Sequence, residues 1–249
     1  MRSCIFCQGR ATSKEDAWPL WLMRRLGATE AGRVEAQRGR QAPWTWHTGK
    51  AGLKVGFVCA SCNNGWMSQL EDRVKPIVEG LFGEEPVALD RSDQTTLAAW
   101  AGKNAMVFEA LRLKASWFFT NSERRTLRES LRLPSWTSVW IAKCVGQVGA
   151  YCSASDLRGV AEVSSTQVKA YVTTMAFGPL AIQLLSSKLP SSIPQSTTVT
   201  ADLRPGPWDK VTLQIWPIQS ERVAWPALMG LSGEIGLDTF SRRWSPVNR

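Results

Sequence analysis

Two pairs of cysteines constrain this chain more than any other feature of its sequence. Each pair has the form C-x2-C, with Cys4 and Cys7 in the first pair, Cys59 and Cys62 in the second, and 51 residues between the pairs. Two such turns can present four thiolates to one metal ion, which completes a tetrahedral zinc site with no open position. The sequence therefore predicts a structural zinc site that ties the residues near position 4 to those near position 60.

The remaining two cysteines and the lengths of the apolar segments indicate in which cellular compartment the protein is expected. Cys144 and Cys152 lie in strand-like sequence, and we predict that they are buried free thiols rather than metal ligands. Residues 1–10 lack the apolar stretch of a signal peptide, and the longest apolar stretch, residues 172–185, is too short to cross a bilayer. We expect a cytoplasmic protein without membrane association, in which thiols stay free or bind metal.

The charge of the chain favours an anionic partner. It has 30 Lys and Arg against 21 Asp and Glu, a formal net charge of +9. A basic protein of this kind is suited to nucleic acid. The candidate phosphate contacts are Arg24, Arg25, Arg38, Arg40 and Lys54. A solvated basic surface is the alternative for these residues.

Two adjacent carboxylates, Glu15 and Asp16, follow the first cysteine pair and allow two interpretations. Asp16 is a good N-cap for a helix over residues 17–26, with Gly27 at its end. Alternatively, both carboxylates could hold one hard divalent cation such as Mg²⁺. A residue can be a cap and a ligand at once, so the sequence leaves both open.

The segment behind the second cysteine pair predicts a helix. Asn63 or Asn64 can cap it, and apolar residues recur at helical spacing from residue 66 to residue 81. Gly80 or Gly83 is expected to end it. We predict that four of the thirteen tryptophans belong to the core: Trp18, Trp21, Trp66 and Trp100.

These motifs together resemble the zinc-knuckle HNH-endonuclease-like proteins of bacteria and phages. Their pattern is C-x2-C, then Ser/Thr-x-Glu-His-x-x-Pro-x-Trp, then C-x2-C-Asn-x-Gly-Trp. Besides the cysteines, the chain matches this pattern at Ser13, Glu15, Pro19, Trp21, Asn63, Gly65 and Trp66. Residues 214–217 and 225–226 also resemble the C-terminal half of that family. Asp16 stands where the family has histidine, and Lys54 where it has asparagine.

The resemblance implies a ββα-metal fold and a nuclease site. Glu15 and Asn63 would bind one divalent cation, and Asp16 would act as the base that activates water or as an extra ligand. His47, the only histidine of the chain, could replace the missing base if the segment between the cysteine pairs folds back as a hairpin. The alternative is an exposed or packed hairpin histidine.

The second half of the chain predicts helices followed by strands. Apolar spacing indicates helices over residues 93–113 and 123–131. Strand patterns cover residues 136–145, 147–152, 167–177, 180–186 and 210–217, and residues 187–198 have loop composition. We therefore predict an α+β protein with a zinc-stapled HNH-like module at residues 1–84 and a helix and antiparallel-sheet domain at residues 85–249.

Two functions are compatible with these observations. The first is a divalent-metal-dependent endonuclease that acts on nucleic acid, expected to be DNA. The second is a non-catalytic, zinc-containing nucleic-acid-binding or adaptor protein that could contact a protein partner through residues 85–249.

Overall fold

The computed structural model of the chain has an α+β fold, as predicted. It describes residues 2–26, 32–38, 44–48, 54–112, 117–146, 148–161, 166–188 and 206–244. The helices are α1 (Leu20–Arg25), α2 (Ala60–Cys62), α3 (Ser68–Phe82), α4 (Arg91–Glu109), α5 (Asn121–Ser130), α6 (Trp208–Val211) and α7 (Gly233–Ser241), with a π-helical turn at Asn63–Met67 between α2 and α3. The strands are β1 (Ser13–Asp16), β2 (Gly32–Arg38), β3 (Trp44–Thr48), β4 (Lys54–Val58), β5 (Val87–Asp90), β6 (Thr137–Val145), β7 (Ala150–Ala161), β8 (Thr166–Phe177), β9 (Leu180–Lys188), β10 (Thr212–Trp216), β11 (Arg222–Trp225) and β12 (Leu231–Ser232).

A large curled sheet carries the second half of the chain. In the described residues its strand order is β10-β6-β9-β8-β7-β2-β3, and β12 pairs with the end of β6. The strands from β6 to β9 confirm the predicted antiparallel sheet. Gly178 makes the tight β8–β9 turn with φ +55°, a backbone conformation that glycine adopts without strain. Of the predicted loop over residues 187–198, the first two residues extend β9, and the rest lies outside the described residues.

Strands from the segment between the cysteine pairs join this same sheet. β2 lies parallel to β7, with Val34 opposite Cys152, and β3 pairs antiparallel with β2 at the sheet edge. The predicted boundary between residues 84 and 85 therefore does not separate two sheets. The division into two domains stays a prediction.

Helix α4 lies at the centre of the fold. Its N-terminus has a capping box, in which the Asp90 carboxylate accepts from the Asp93 backbone and the Asp93 carboxylate accepts from the Asp90 backbone. Nearly every residue from Gln94 to Glu109 is buried, because α4 packs against α3, α5 and the large sheet. The buried residues of α4 include the charged side chains of Lys103 and Glu109, so this helix carries ionic groups into the core.

The core contains tryptophans from both ends of the chain. Trp18 is buried and packs edge-on against Phe108 of α4 at 4.9 Å and Phe177 of β8 at 5.6 Å between ring centroids. Trp100 is buried too, and Trp21 and Trp66 pack against the same cluster. The predicted core position is therefore confirmed for Trp18 and Trp100, whereas Trp21 and Trp66 are only partly buried at the edge of the core. Within the described helices, none has both the length and the hydropathy needed to cross a membrane.

Candidate metal centre and adjacent pocket

The four cysteines of the two C-x2-C pairs form one cluster. The Sγ atoms of Cys4, Cys7, Cys59 and Cys62 all lie within 4.8 Å of one another, and Cys7 Sγ is 3.5 Å from Cys59 Sγ. A tetrahedral ion with Zn–S bonds near 2.3 Å needs sulfur atoms about 3.8 Å apart. The all-sulfur donor set and its spacing therefore fit a structural zinc ion.

Local backbone geometry positions each pair. In the first turn the Cys4 amide donates to the Gly9 carbonyl at 2.6 Å, and Gln8 has φ +62° where the chain reverses. In the second turn Cys59 caps α2, because its Sγ accepts a hydrogen bond from the Cys62 amide at 3.4 Å. Both turns depend on residues within a few positions of the cysteines, which explains why the sequence pattern alone predicts them.

The thiols of the cluster differ in how easily they ionise. Burial opposes the charge of Cys59, but hydrogen bonds from Ser61, the Cys62 amide and neighbouring thiols outweigh it and lower the pKa of Cys59 to about 6. Burial and the neighbouring cysteines raise the pKa of Cys62 well above its ordinary value, and burial raises the pKa of Cys7. The surroundings of Cys59 therefore favour the thiolate, which is the form that binds a metal ion.

The other two cysteines lie away from this cluster. Cys144 and Cys152 are buried in β6 and β7 and are free thiols. Burial raises the pKa of Cys144 to about 12 and raises that of Cys152 well above its ordinary value. The prediction that both are buried thiols rather than ligands is confirmed.

Next to the cysteine cluster, two paired strands and the helix that follows them form a ββα arrangement. β1 and β4 pair antiparallel, and the chain passes directly from β4 into α2, the π-helical turn and α3. Two side chains of the N-terminal segment hold the start of these helices. Thr12 Oγ1 accepts from the Ala60 amide at 3.1 Å, and Ser13 Oγ accepts from Asn63 Nδ2 at 2.8 Å. Because this bond uses the amide nitrogen of Asn63, the amide oxygen of the same side chain is the atom that could bind a metal ion.

A pocket of about 220 Å³ lies beside this unit. It is lined by Glu15 and Asp16 of β1, by Pro19, Leu20 and Trp21 at the start of α1, and by Asn63, Asn64, Met67, Ser68 and Glu71. The fold thus brings Glu15, Asp16 and Asn63 to one cavity although about 50 residues separate them in the chain. Among the described residues, the cysteine cluster is the one group of three or more His, Cys, Asp or Glu side chains spaced for a shared ion. A cation in the pocket would therefore need Asn63 or water as additional ligands.

Asp16 is not a helix cap, so the capping interpretation is wrong, whereas its possible role as a metal ligand is not affected. α1 begins at Leu20 rather than at residue 17, its N-cap is Pro19, and no side chain caps it. Asp16 instead ends β1, where it lies opposite Lys54 of β4, and Lys54 Nζ donates to Asp16 Oδ1 at 2.6 Å. Strand pairing with β4 therefore overrides the local capping preference of Asp16.

Glu15 takes part in a buried ion-pair network. Lys103 of α4 has a fully buried side chain, and its Nζ lies 3.2 Å from Glu15 Oε1 and 2.9 Å from Glu71 Oε1. Burial raises the pKa of Glu15, and the charge of Lys103 opposes that rise. Burial alone would lower the pKa of Lys103, but the two carboxylates outweigh it and raise this pKa. The lysine is therefore the charged centre of the network.

The basic candidates are spread over several elements. Arg24 and Arg25 are exposed at the end of α1, the helix whose first residues line the pocket. Arg38 ends β2, and Arg40 lies outside the described residues. His47 belongs to β3, where its backbone pairs with Arg33, and its side chain is not described. The role of His47 as a replacement base stays a prediction.

Two residues of the pocket network were missed by sequence reasoning. Glu71 carries no motif of its own. Lys103 had a usable signal, because a lysine within the apolar stretch from Leu97 to Phe108 requires a buried partner. The sequence could not identify that partner.

The fold and the site define an α+β protein with a four-cysteine cluster suited to zinc and an acidic pocket beside it. Comparison of the chain with models of known protein families, with curated proteins and with solved structures yields no match. The resemblance to zinc-knuckle HNH proteins therefore stays a prediction drawn from the motifs.

Proposed function

We propose that the chain is a divalent-metal-dependent, HNH-type endonuclease that acts on nucleic acid, with DNA as the expected substrate. The observation that carries this proposal is the convergence of Glu15, Asp16 and Asn63 on one pocket beside the cysteine cluster. These are the three residues that the motif resemblance assigns to the reaction. They lie on the elements of a ββα unit, which supports the same assignment.

The charge of the pocket suits a divalent cation. Three carboxylates, Glu15, Asp16 and Glu71, line the pocket, and two lysines, Lys54 and Lys103, pair with them, which leaves one net negative charge. A hard cation such as Mg²⁺ prefers carboxylate and amide oxygens, and Glu15 and Asn63 offer both. When bound, such an ion would polarise the phosphate and lower the pKa of a bound water.

Lys54 supports a role of Asp16 near phosphate. An unpaired Asp16 beside Glu15 would repel an incoming phosphodiester. The Lys54 ammonium, 2.6 Å from Asp16 Oδ1 and about half exposed, offsets that charge. Asp16 would accept a proton from water or bind the cation, and Lys54 would attract the phosphate. The lysine at a position where the family has asparagine is thereby explained by its ion pair with Asp16.

Cleavage assays with matched variants test this proposal. Plasmid DNA, single-stranded DNA and RNA would be incubated with the zinc-loaded protein in Mg²⁺, Mn²⁺ or Ni²⁺. We expect nicking that needs the added ion and falls by about 100-fold or more in Glu15→Gln and in Asn63→Ala. Glu79→Gln, an exposed acid on α3 outside the pocket, is the control and should nick normally. Ion-independent nicking, or equal nicking by all variants, would contradict the proposal.

A second candidate is a nucleic-acid-binding protein without cleavage. The observation that favours it is the Lys54–Asp16 ion pair, because it engages the carboxylate that replaces the usual histidine. In this case the basic residues would bind phosphate and the pocket would be a remnant. A gel shift that weakens with salt, together with absent nicking in every ion, would favour this candidate.

The basic surface can be tested separately from cleavage. Arg24→Ala and Arg25→Ala should weaken binding to any sequence and should each lower the salt slope of log Kobs by about one. Arg128→Ala, an exposed arginine in α5, is the matched control. Unchanged slopes in both test variants would remove these residues from the proposed interface.

A further inference from the structure

One helix of the C-terminal half supplies a charge to the pocket. Lys103 lies on α4 and has no exposed side-chain surface, while its two partners lie on β1 and α3. Glu15 is 88 residues away in the chain and Glu71 is 32 residues away. Glu15, the carboxylate assigned to metal binding, is therefore held by α4, which lies outside the segment that contains the cysteine pairs.

The burial of Lys103 is costly for the fold. Transfer of an ammonium group from water into the interior carries a penalty that its ion pairs only partly offset, and apolar residues of similar size often stabilise a core better. Among its neighbours on α4, Gly102 and Ala105 are apolar, Asn104 is polar, and all three are buried. A charge retained at such a position is more readily explained by what it positions than by the stability it adds.

The hydrogen-bond geometry shows what Lys103 can position. The ammonium bonds Glu15 through Oε1, which leaves Oε2 of the same carboxylate as the oxygen that can bind a cation. It also bonds Oε1 of Glu71, so one group fixes two carboxylates of the pocket wall. A free glutamate side chain has several rotamers, and fixing it before binding removes that entropy cost.

We propose that Lys103 is a positioning residue for the reaction of the pocket, and that α4 is therefore part of the functional site. This inference rests on the proposed endonuclease function. Because Lys103 is fully buried, it acts through Glu15 and Glu71 and does not itself touch the substrate. Its ammonium holds both carboxylates in place at the pocket wall.

Two variants separate this role from a structural one. Lys103→Met removes the charge at similar length but leaves two carboxylates without their partner. The double variant Lys103→Met/Glu71→Gln also removes one carboxylate, so the local net charge returns to that of the natural protein. The double variant should therefore recover stability, while Glu15 still lacks the group that holds it. Lys75→Met, on the exposed face of α3, is the matched control.

The experiment measures nicking, Mn²⁺ affinity, zinc content and melting temperature for all four proteins. We expect nicking by the double variant to stay at least about tenfold below that of the natural protein, as for groups that orient metal ligands. Mn²⁺ should still bind the double variant, because its local net charge equals that of the natural protein, but no more tightly, because Glu15 is no longer held in place. Zinc content should be unchanged, and Lys75→Met should resemble the natural protein throughout.

The outcomes distinguish this inference from the function on which it rests. Natural-level nicking by the double variant would overturn the positioning role and leave the endonuclease function intact. Nicking, Mn²⁺ binding and zinc content that are lost together would also overturn it, because they would indicate a collapsed fold. A natural protein that neither nicks nor binds Mn²⁺ would contradict the proposed function itself, and the inference with it.

Discussion

At the scale of single residues, the cysteines differ by their surroundings rather than by their chemistry. Cys59 receives hydrogen bonds that stabilise a thiolate, whereas Cys144 is buried among apolar side chains that disfavour one. Cysteine is thus suited to bind a metal ion at position 59 and is unreactive at position 144. The C-x2-C spacing distinguishes the four clustered cysteines from the two buried free thiols in the sequence, because the tight turn that presents two thiolates is formed by local residues.

Removal of one zinc ligand should unload the cluster. We expect Cys59→Ser to lower the zinc content from one ion per chain to none, whereas Cys144→Ala should retain one. If free zinc stands at 1,000 times its Kd, loss of binding lowers the free energy of unfolding by about 4 kcal/mol. Elemental analysis and urea denaturation measure both effects. An unchanged zinc affinity in Cys59→Ser would exclude Cys59 as a ligand, because loss of one of four thiolates must weaken binding.

Zinc affinity should fall as the pH is lowered. Zinc binds thiolates, so protons compete with it for each cysteine. Cys7 and Cys62, whose pKa values are raised, release protons on binding at neutral pH, whereas Cys59, with a pKa of about 6, is already ionised there. The slope of the logarithm of zinc affinity against pH should therefore increase by about one proton below about pH 6, where Cys59 becomes protonated. Competition with a zinc-binding dye across pH 5 to about pH 8 would measure it, and a constant slope would assign the low pKa to another group.

At the scale of elements, a buried ion pair joins α4 to α5. Glu109 ends α4, and its carboxylate accepts from the amides of Phe118 and Phe119 and from Arg124 Nη2 at 2.5 Å. Arg124 also donates to the Met106 carbonyl at 3.1 Å. The predicted helix over residues 93–113 is too long, and the structure ends it at Glu109, the residue that binds the segment before α5.

Loss of the Glu109 charge should destabilise the protein strongly. Glu109→Gln leaves the guanidinium of Arg124 buried without a counter-charge, because both side chains are fully buried. We expect the free energy of unfolding to fall by about 3–5 kcal/mol. The control Asp72→Asn breaks the exposed pair with Lys75 and should cost at most about 1 kcal/mol. Similar losses in the two variants, measured by urea denaturation, would show that burial is not the cause.

At the scale of the whole molecule, the two halves of the chain share a core. Trp18 packs on Phe108 and Phe177, and Trp21 lies near Trp100, with 6.5 Å between ring centroids. β2 also extends the large sheet through β7. Because apolar surface of residues 1–84 is buried by later residues, we expect the cysteine-containing segment to depend on the rest of the chain for its folding.

Unfolding of the zinc-loaded protein should therefore be one cooperative transition. Tryptophan fluorescence and far-UV circular dichroism should give the same urea midpoint, since both report one core. A fragment of residues 1–84 should lack fixed tertiary structure even with zinc. Two separate midpoints, or a folded fragment, would instead support two independent domains.

The sequence by itself determined the features that depend on near neighbours in the chain. The C-x2-C turns, the helix that ends before Gly83 and the strands β6, β8 and β9 follow from spacing and turn residues within a few positions. The three candidate residues of the pocket were also found from local motifs. Their convergence could be expected only through the resemblance.

The tertiary structure alone decided which charges meet. Asp16 pairs with Lys54 across 38 positions, and Lys103 reaches Glu15 across 88. The parallel pairing of β2 with β7 is equally remote in the chain. The physical reason is that a turn or helix is stabilised by adjacent residues, whereas the partner of a buried charge or a parallel strand depends on how distant elements pack, which no local pattern encodes.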